Sequence, residues 1–136
     1  MADVIRPPMG WNSWDCYGTT VTEAEVIANA EFLAEHLMPY GWDTVVVDID
    51  WADPTARSHG YNDGAPLHID AYGRLVPDPG RFPSAAGGAG FEPLAERLHG
   101  MELRLGIHTM RGIPRRAVAA MLGLAEIYAR DRKARI

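Results

Sequence analysis

A chain of 136 residues with 47% hydrophobic side chains is long enough for one small domain with a core of its own, which excludes a disordered chain. The formal charge of −5 excludes a general attraction to nucleic acid or to an anionic membrane; the basic cluster Arg130, Arg132, Lys133 and Arg135 reads as a solvated helix end. Cys16 is the single cysteine, which excludes an internal disulfide or a cysteine-built metal site, and no run approaches the roughly 20 apolar residues of a membrane span, so a soluble, cytoplasmic protein is expected.

In chain order, "MGWNSW" (Met9 to Trp14) is compatible with a short first strand. "TEAEVIANAEFLAEHLM" (Thr22 to Met38) predicts an amphipathic helix with Val26, Ala30, Leu33 and Leu37 on one stripe. Thr22 followed by Glu25 has the spacing of a capping box, and Pro39 with Gly41 supplies the stop. "DTVVVDID" is a near-continuous aliphatic run of the kind found in parallel sheets covered on both faces. Trp51 to Gly90 is rich in Pro, Gly and Asp, too long for ordinary punctuation and expected to be functional. "FEPLAERLHGM" predicts a short helix packing Leu94 and Leu98, "LRLGIHTM" a third strand, and the stretch from Pro114 onward a terminal helix.

The order β, α, β, long loop, α, β, α argues for a parallel sheet with right-handed crossovers. A small doubly wound domain fits the length, yet no Gly-rich phosphate loop joins a strand to a helix. A (β/α)₈ barrel fits the pattern but takes roughly 250 residues, so this chain holds about three of eight units.

Several side chains are candidates for chemistry. Asp48 and Asp50 lie two apart on a predicted strand, on one face, as a pair of catalytic carboxylates would. Trp14 and Trp51 stand where tryptophan either lies against a sugar or caps a core. His108 closes the third strand and donates a hydrogen bond or sits satisfied in the interior; Arg111 beyond it is better read as a salt-bridge partner. His68, Asp70 and Asp78 match no established metal-ligand spacing. Cys16 has no activating histidine beside it and is expected as a buried small hydrophobe, and His36 and His99 are expected on helix surfaces.

"PPMGWNSWDCYG" (Pro7 to Gly18), "VVVDIDW" ahead of the long loop, "YGRLVPDPGRFPS" (Tyr72 to Ser84) and "LRLGIHTMRGIPRRAV" (Leu103 to Val118) together resemble glycoside hydrolase family 27, the α-galactosidase or melibiase family. The resemblance implies an α/β fold: the N-terminal three βα units of a (β/α)₈ TIM barrel, truncated before the fourth strand, with residues 1–120 as partial barrel and 121–136 as a divergent, helical, basic tail. It implies a retaining O-glycosidase acting on terminal α-galactosides, without cofactor or metal. Its nucleophile is expected on the fourth strand in a Lys-x-Asp motif, and its acid/base further on. Neither motif occurs here, so the catalytic residues are expected beyond Ile136.

The second-strand Asp of the family binds substrate, which assigns Asp48 to a sugar hydroxyl, with Trp14, Trp51, Ile49 and His108 as further substrate-binding candidates; His108 stands where many members have a tyrosine. Galactose-specific members commonly carry Asp-Asp-Cys-Trp where this chain reads Asp48-Ile49-Asp50-Trp51. Ile49 replaces the acceptor of the 6-hydroxyl, and an unpartnered hydroxyl costs roughly 1–3 kcal/mol. L-Arabinopyranose keeps galactose's ring stereochemistry without the CH₂OH arm, so a β-L-arabinopyranosidase preference is the alternative. A swing of Asp50 to the 6-hydroxyl stays open at this point, as does a non-catalytic sugar-binding module or an inactive truncated product.

Overall fold

The computed structural model describes residues 7–58, 60, 62, 64–110 and 113–121. Arg111 and residues 122–136, which include most of the expected basic tail, lie outside the described residues. Three strands, β1 (Gly10–Asn12), β2 (Thr44–Val47) and β3 (Arg104–Ile107), form one parallel sheet in the order β1-β2-β3. The register pairs Gly10 with Thr44 and Asn12 with Val46, and Val47 with Ile107. Short helix α1 (Trp14–Tyr17) follows β1, α2 (Glu23–His36) crosses to β2, and α3 (Glu92–His99) precedes β3. Residues 115–121 are helical.

The expected capping box starts α2: the Thr22 hydroxyl accepts from Glu25 N–H, and Glu25 Oε2 accepts from Thr22 N–H at 2.8 Å. Its apolar stripe buries Val26, Ala30 and Leu33, with Leu37 packed partly against the core. A 3₁₀ turn at Met38–Tyr40 then ends at Gly41, whose φ of 89° is the left-handed conformation glycine tolerates. Val45 and Val47 are buried and meet the helices' Leu33, Leu94 and Leu98 in one core. Val46, on the opposite face, is only half-buried. Among the described residues the buried leucines of the helices thus meet the face of Val45 and Val47, and Val46 lies outside that core.

The described residues of the long loop carry their own hydrogen-bonded order. The chain is tied back on itself through His68 N–H to Ala52 O at 2.8 Å and Asp78 N–H to Trp51 O at 2.9 Å. Phe82 and Trp51 pack edge-to-face on Phe91, with centroids 5.3 and 5.1 Å apart. Arg81 is the centre of its polar interior. Nη1 donates to the carbonyls of Thr19 and Val21, and Nη2 to those of Asp50 and Asp53, so one guanidinium joins the loops that follow β1 and β2.

Cys16 departs from expectation. It is exposed, because α1 is a four-residue turn with none of its residues buried, so side-chain type had no core face to act on. His36 and His99 are exposed. Among the described residues no helix is long and apolar enough to cross a membrane.

Candidate functional site

Asp48 directly follows β2 and is buried, with 7% of its surface exposed. Its carboxylate is held from three sides: Ile49 N–H donates to Oδ1 at 2.8 Å, His108 Nδ1 lies 3.2 Å from the same oxygen, and Asn12 Nδ2 donates to Oδ2 at 2.8 Å. The Asp48 N–H is itself satisfied by Ser13 Oγ at 2.9 Å. Burial works to raise this carboxyl, but the Ile49 amide, the Asn12 amide and the His108 ring outweigh it and hold it below its ordinary range. Asp48 is an ionised acceptor, poorly suited to deliver a proton near neutrality.

A groove of about 540 Å³ opens over it, lined by Asn12, Trp14, Asp15, Asp48, Ile49, His108 and Met110. Four of the five sequence candidates, Trp14, Asp48, Ile49 and His108, thus meet in one depression at the carboxyl ends of the strands, where barrel chemistry is sited. Ile49 is 3% exposed and gives the groove an apolar wall. Asp15 and Met110 belong to the groove without having been singled out in the sequence.

Trp51 does not join them. It is 5% exposed, lies in the hydrophobic core, and its Nε1 donates to the His108 carbonyl at 2.9 Å. It lines a different, mostly apolar cavity of about 170 Å³ with Leu67, Leu75 and Met110. The indole anchors the end of β3 and thereby the backbone that carries His108.

Asp50 is also elsewhere. β2 ends at Val47, and the chain then turns with Asp50 in the left-handed region at φ 62° and Asp53 N–H closing onto Asp50 O at 3.0 Å. The same-face geometry of two residues on one strand is therefore lost. Asp50 lines the cavities beside Trp51 and Leu67, not the groove of Asp48. Its Oδ2 is buried without a hydrogen-bond partner. Burial, with the charges of Asp53 and Asp48, pushes its carboxyl up against the opposing pull of Arg81.

That raised carboxyl has a stability consequence. Above its folded pKa the group is ionised in both states and the folded state bears the penalty; below the unfolded value of 3.8 it is protonated in both and the penalty disappears. Asn suits the left-handed backbone as well as Asp does. Asp50→Asn is therefore expected to stabilise the chain by about 1 kcal/mol at pH 7, with the gain fading as pH falls toward 4. Urea unfolding of both forms at pH 7 and pH 3.5 checks the sign; an Asn form no more stable at pH 7 would contradict it.

His68 Nε2 lies 3.3 Å from Asp78 Oδ1, and among the described residues no group of three or more His, Cys, Asp or Glu is arranged to hold a metal ion.

No protein-family profile matches the chain, but individual proteins do. An α-galactosidase of Cyamopsis tetragonoloba is 31% identical over 107 residues, 78% of this chain and 22% of its own. The solved structure of a family 27 β-L-arabinopyranosidase from Geobacillus stearothermophilus superposes with a TM-score of 0.81 at 59% identity, covering 83% of this chain and 26% of that one. The chain belongs to glycoside hydrolase family 27. α-Galactosidase I of Mortierella vinacea, at 29% identity and a TM-score of 0.52 over 74% of this chain and 21% of its own, shares the same barrel. Family 27 thus accounts for the three parallel strands as the N-terminal βα units of a TIM barrel. The chain spans about a quarter of the length of the relatives it matches.

Proposed function

We propose that this family 27 chain contributes the sugar-binding side of a retaining glycosidase that prefers terminal β-L-arabinopyranosides to α-galactosides. The observation that carries the reading is Ile49, buried in the wall of the groove beside the Asp48 carboxylate. Asp48 accepts a ring hydroxyl in a charge-assisted hydrogen bond, Trp14 covers a C–H face of the sugar, and His108 lies beside the same hydroxyl. Ile49 offers a 6-hydroxyl no acceptor, whereas an arabinopyranose presents no such group. Asp48 is not the nucleophile in this reading, because the donors around it leave its carboxylate fixed and largely occupied. The two catalytic carboxyl groups, roughly 5 Å apart in a retaining enzyme, come from later barrel strands, and this chain alone binds without hydrolysing.

The test places residues 7–110 in the corresponding segment of the Geobacillus arabinopyranosidase and measures kcat/KM on the nitrophenyl β-L-arabinopyranoside and α-D-galactopyranoside. The arabinoside is expected to be preferred by about tenfold or more, the equivalent of roughly 1.4 kcal/mol. Ile49→Asp is expected to move the ratio toward the galactoside. A chimera that prefers the galactoside would sink the assignment, and nitrophenol release by the 136-residue chain alone would overturn the placement of the nucleophile.

A further inference from the structure

Asn12 ends β1 opposite Val46, and its amide joins two parts of the groove. Its Oδ1 accepts the Trp14 N–H at 2.8 Å, and its Nδ2 donates to Asp48 Oδ2 at 2.8 Å. The first bond fixes the amide's orientation, because a backbone N–H demands the oxygen; the nitrogen is then left to face the carboxylate. Both groups bonded by this amide line the depression, together with Asn12 itself.

The acceptor capacity of Asp48 can be counted. A carboxylate offers about four lone-pair positions. On Oδ1 the Ile49 amide and the His108 ring take two, and on Oδ2 the Asn12 amide takes one. One position remains, on Oδ2. We infer that Asn12 is a positioning residue: its amide locks the Asp48 carboxylate against the Trp14 backbone so that a single Oδ2 lone pair faces the groove, acceptor for one hydroxyl and no more. The inference rests on the reading of Asp48 as the sugar's acceptor only for the identity of the ligand; the locking itself is a property of the protein's own side chains. It deepens the role of Ile49, since a one-acceptor Asp48 cannot also serve a second hydroxyl that Ile49 leaves without a partner.

The locking is read directly by following the Asp48 side-chain carbon through a pH titration of the 136-residue chain by NMR. The charged or titratable groups beside it are His108 and Asp50, with Asp15 on the same groove, and each is followed in the same spectra. Asn12→Asp keeps the shape and the acceptor for the Trp14 N–H but replaces the donor to Asp48 by a second carboxylate. The two acids should then titrate as a coupled pair, one midpoint rising by about one pH unit or more. Asn12→Ala removes the donor alone and should raise the Asp48 midpoint by roughly half a unit. A role confined to strand packing would lower stability and leave that midpoint within about 0.2 unit, and this result in both variants overturns the inference. Should neither variant fold, the unmutated chain still decides: the Asn12 side-chain amide protons should shift with the Asp48 midpoint, and amide shifts flat through that titration refute the bond. Failure here leaves the arabinoside preference standing, and failure of the chimera's preference leaves Asn12 standing.

Discussion

Replacing Arg81 with methionine is expected to cost about 3–5 kcal/mol, a large share of the roughly 5–15 kcal/mol a domain possesses. The aliphatic length of methionine fills much of the same space, so the loss isolates the guanidinium. That group is 13% exposed at its side chain and donates to four backbone carbonyls on two separate loops. Carbonyls already desolvated by Val21 and Asp53, which are almost fully buried, would lose a charged donor, each such bond being worth about 1.5–3 kcal/mol before coupling between them is counted. Asp78 would lose a positive neighbour 3.7 Å from its Oδ2. Arg81→Lys is expected to fall short too: one ammonium on a flexible stem cannot reach both carbonyl pairs that the planar fork spans. Urea unfolding followed by hydrogen exchange checks both the size and the place of the effect. The amides of His68 and Asp78, bonded to Ala52 and Trp51, should lose protection before those of β2. A loss below about 1 kcal/mol would mean that water replaces the guanidinium at no cost, and that Arg81 is not what joins the two loops.

Arg81 also marks the limit of what could be read from the sequence. It lies inside "GRFPS", a motif quoted for its family resemblance, but its partners are main-chain oxygens, and main-chain oxygens leave no pattern of residue types. The elements that were legible are those in which side chains declare themselves. The aliphatic run Val45 to Val47 announced β2, and Thr22 with Glu25 announced the start of α2. α1 was not legible, because four residues cannot display a 3.6-residue period.

The same distinction runs through the groove. Asp48, Ile49, Trp14 and His108 were found through motif and strand position, since strand ends in a barrel converge. Asn12 was not found, although it stands in "GWNSW". What gives it a task is its register opposite Val46, two residues before Asp48, and register between strands this far apart in sequence is fixed only by packing. Asp50 misled because Asp-Ile-Asp reads as a continuing strand. The left-handed turn at φ 62° is carried by an aspartate, where glycine would have announced it. Trp51 is a second such case: as a residue type it serves equally as a sugar platform or a core anchor, and only its bond to the His108 carbonyl gives it the second task.

The first letter of "GWNSW" is expected to be as sensitive as its asparagine, for a reason that belongs to the sheet. A methyl group on Gly10 would lie 1.8 Å from the Thr44 carbonyl oxygen and 2.6 Å from its carbon, so the obstacle is the backbone of β2 and no rotamer change relieves it. Gly10→Ala must push β1 away from β2, at a cost of about 3 kcal/mol, the upper end for overpacking. The displacement would propagate along three residues to Ser13 and Asn12, whose side chains hold the Asp48 amide and carboxylate. Gly60 provides the matched control: nothing lies within 4 Å of an added methyl there, and Gly→Ala at an unobstructed, compatible site usually stabilises by about 0.4–1 kcal/mol through the unfolded chain. The two substitutions are chemically identical and should differ in sign by urea unfolding. Gly10→Ala should in addition raise the Asp48 titration midpoint, because the Asn12 donor to its carboxylate is carried away with β1. Equal effects at the two sites would mean that β1 has room to yield, and that the close approach at Thr44 is not what reserves this position for glycine.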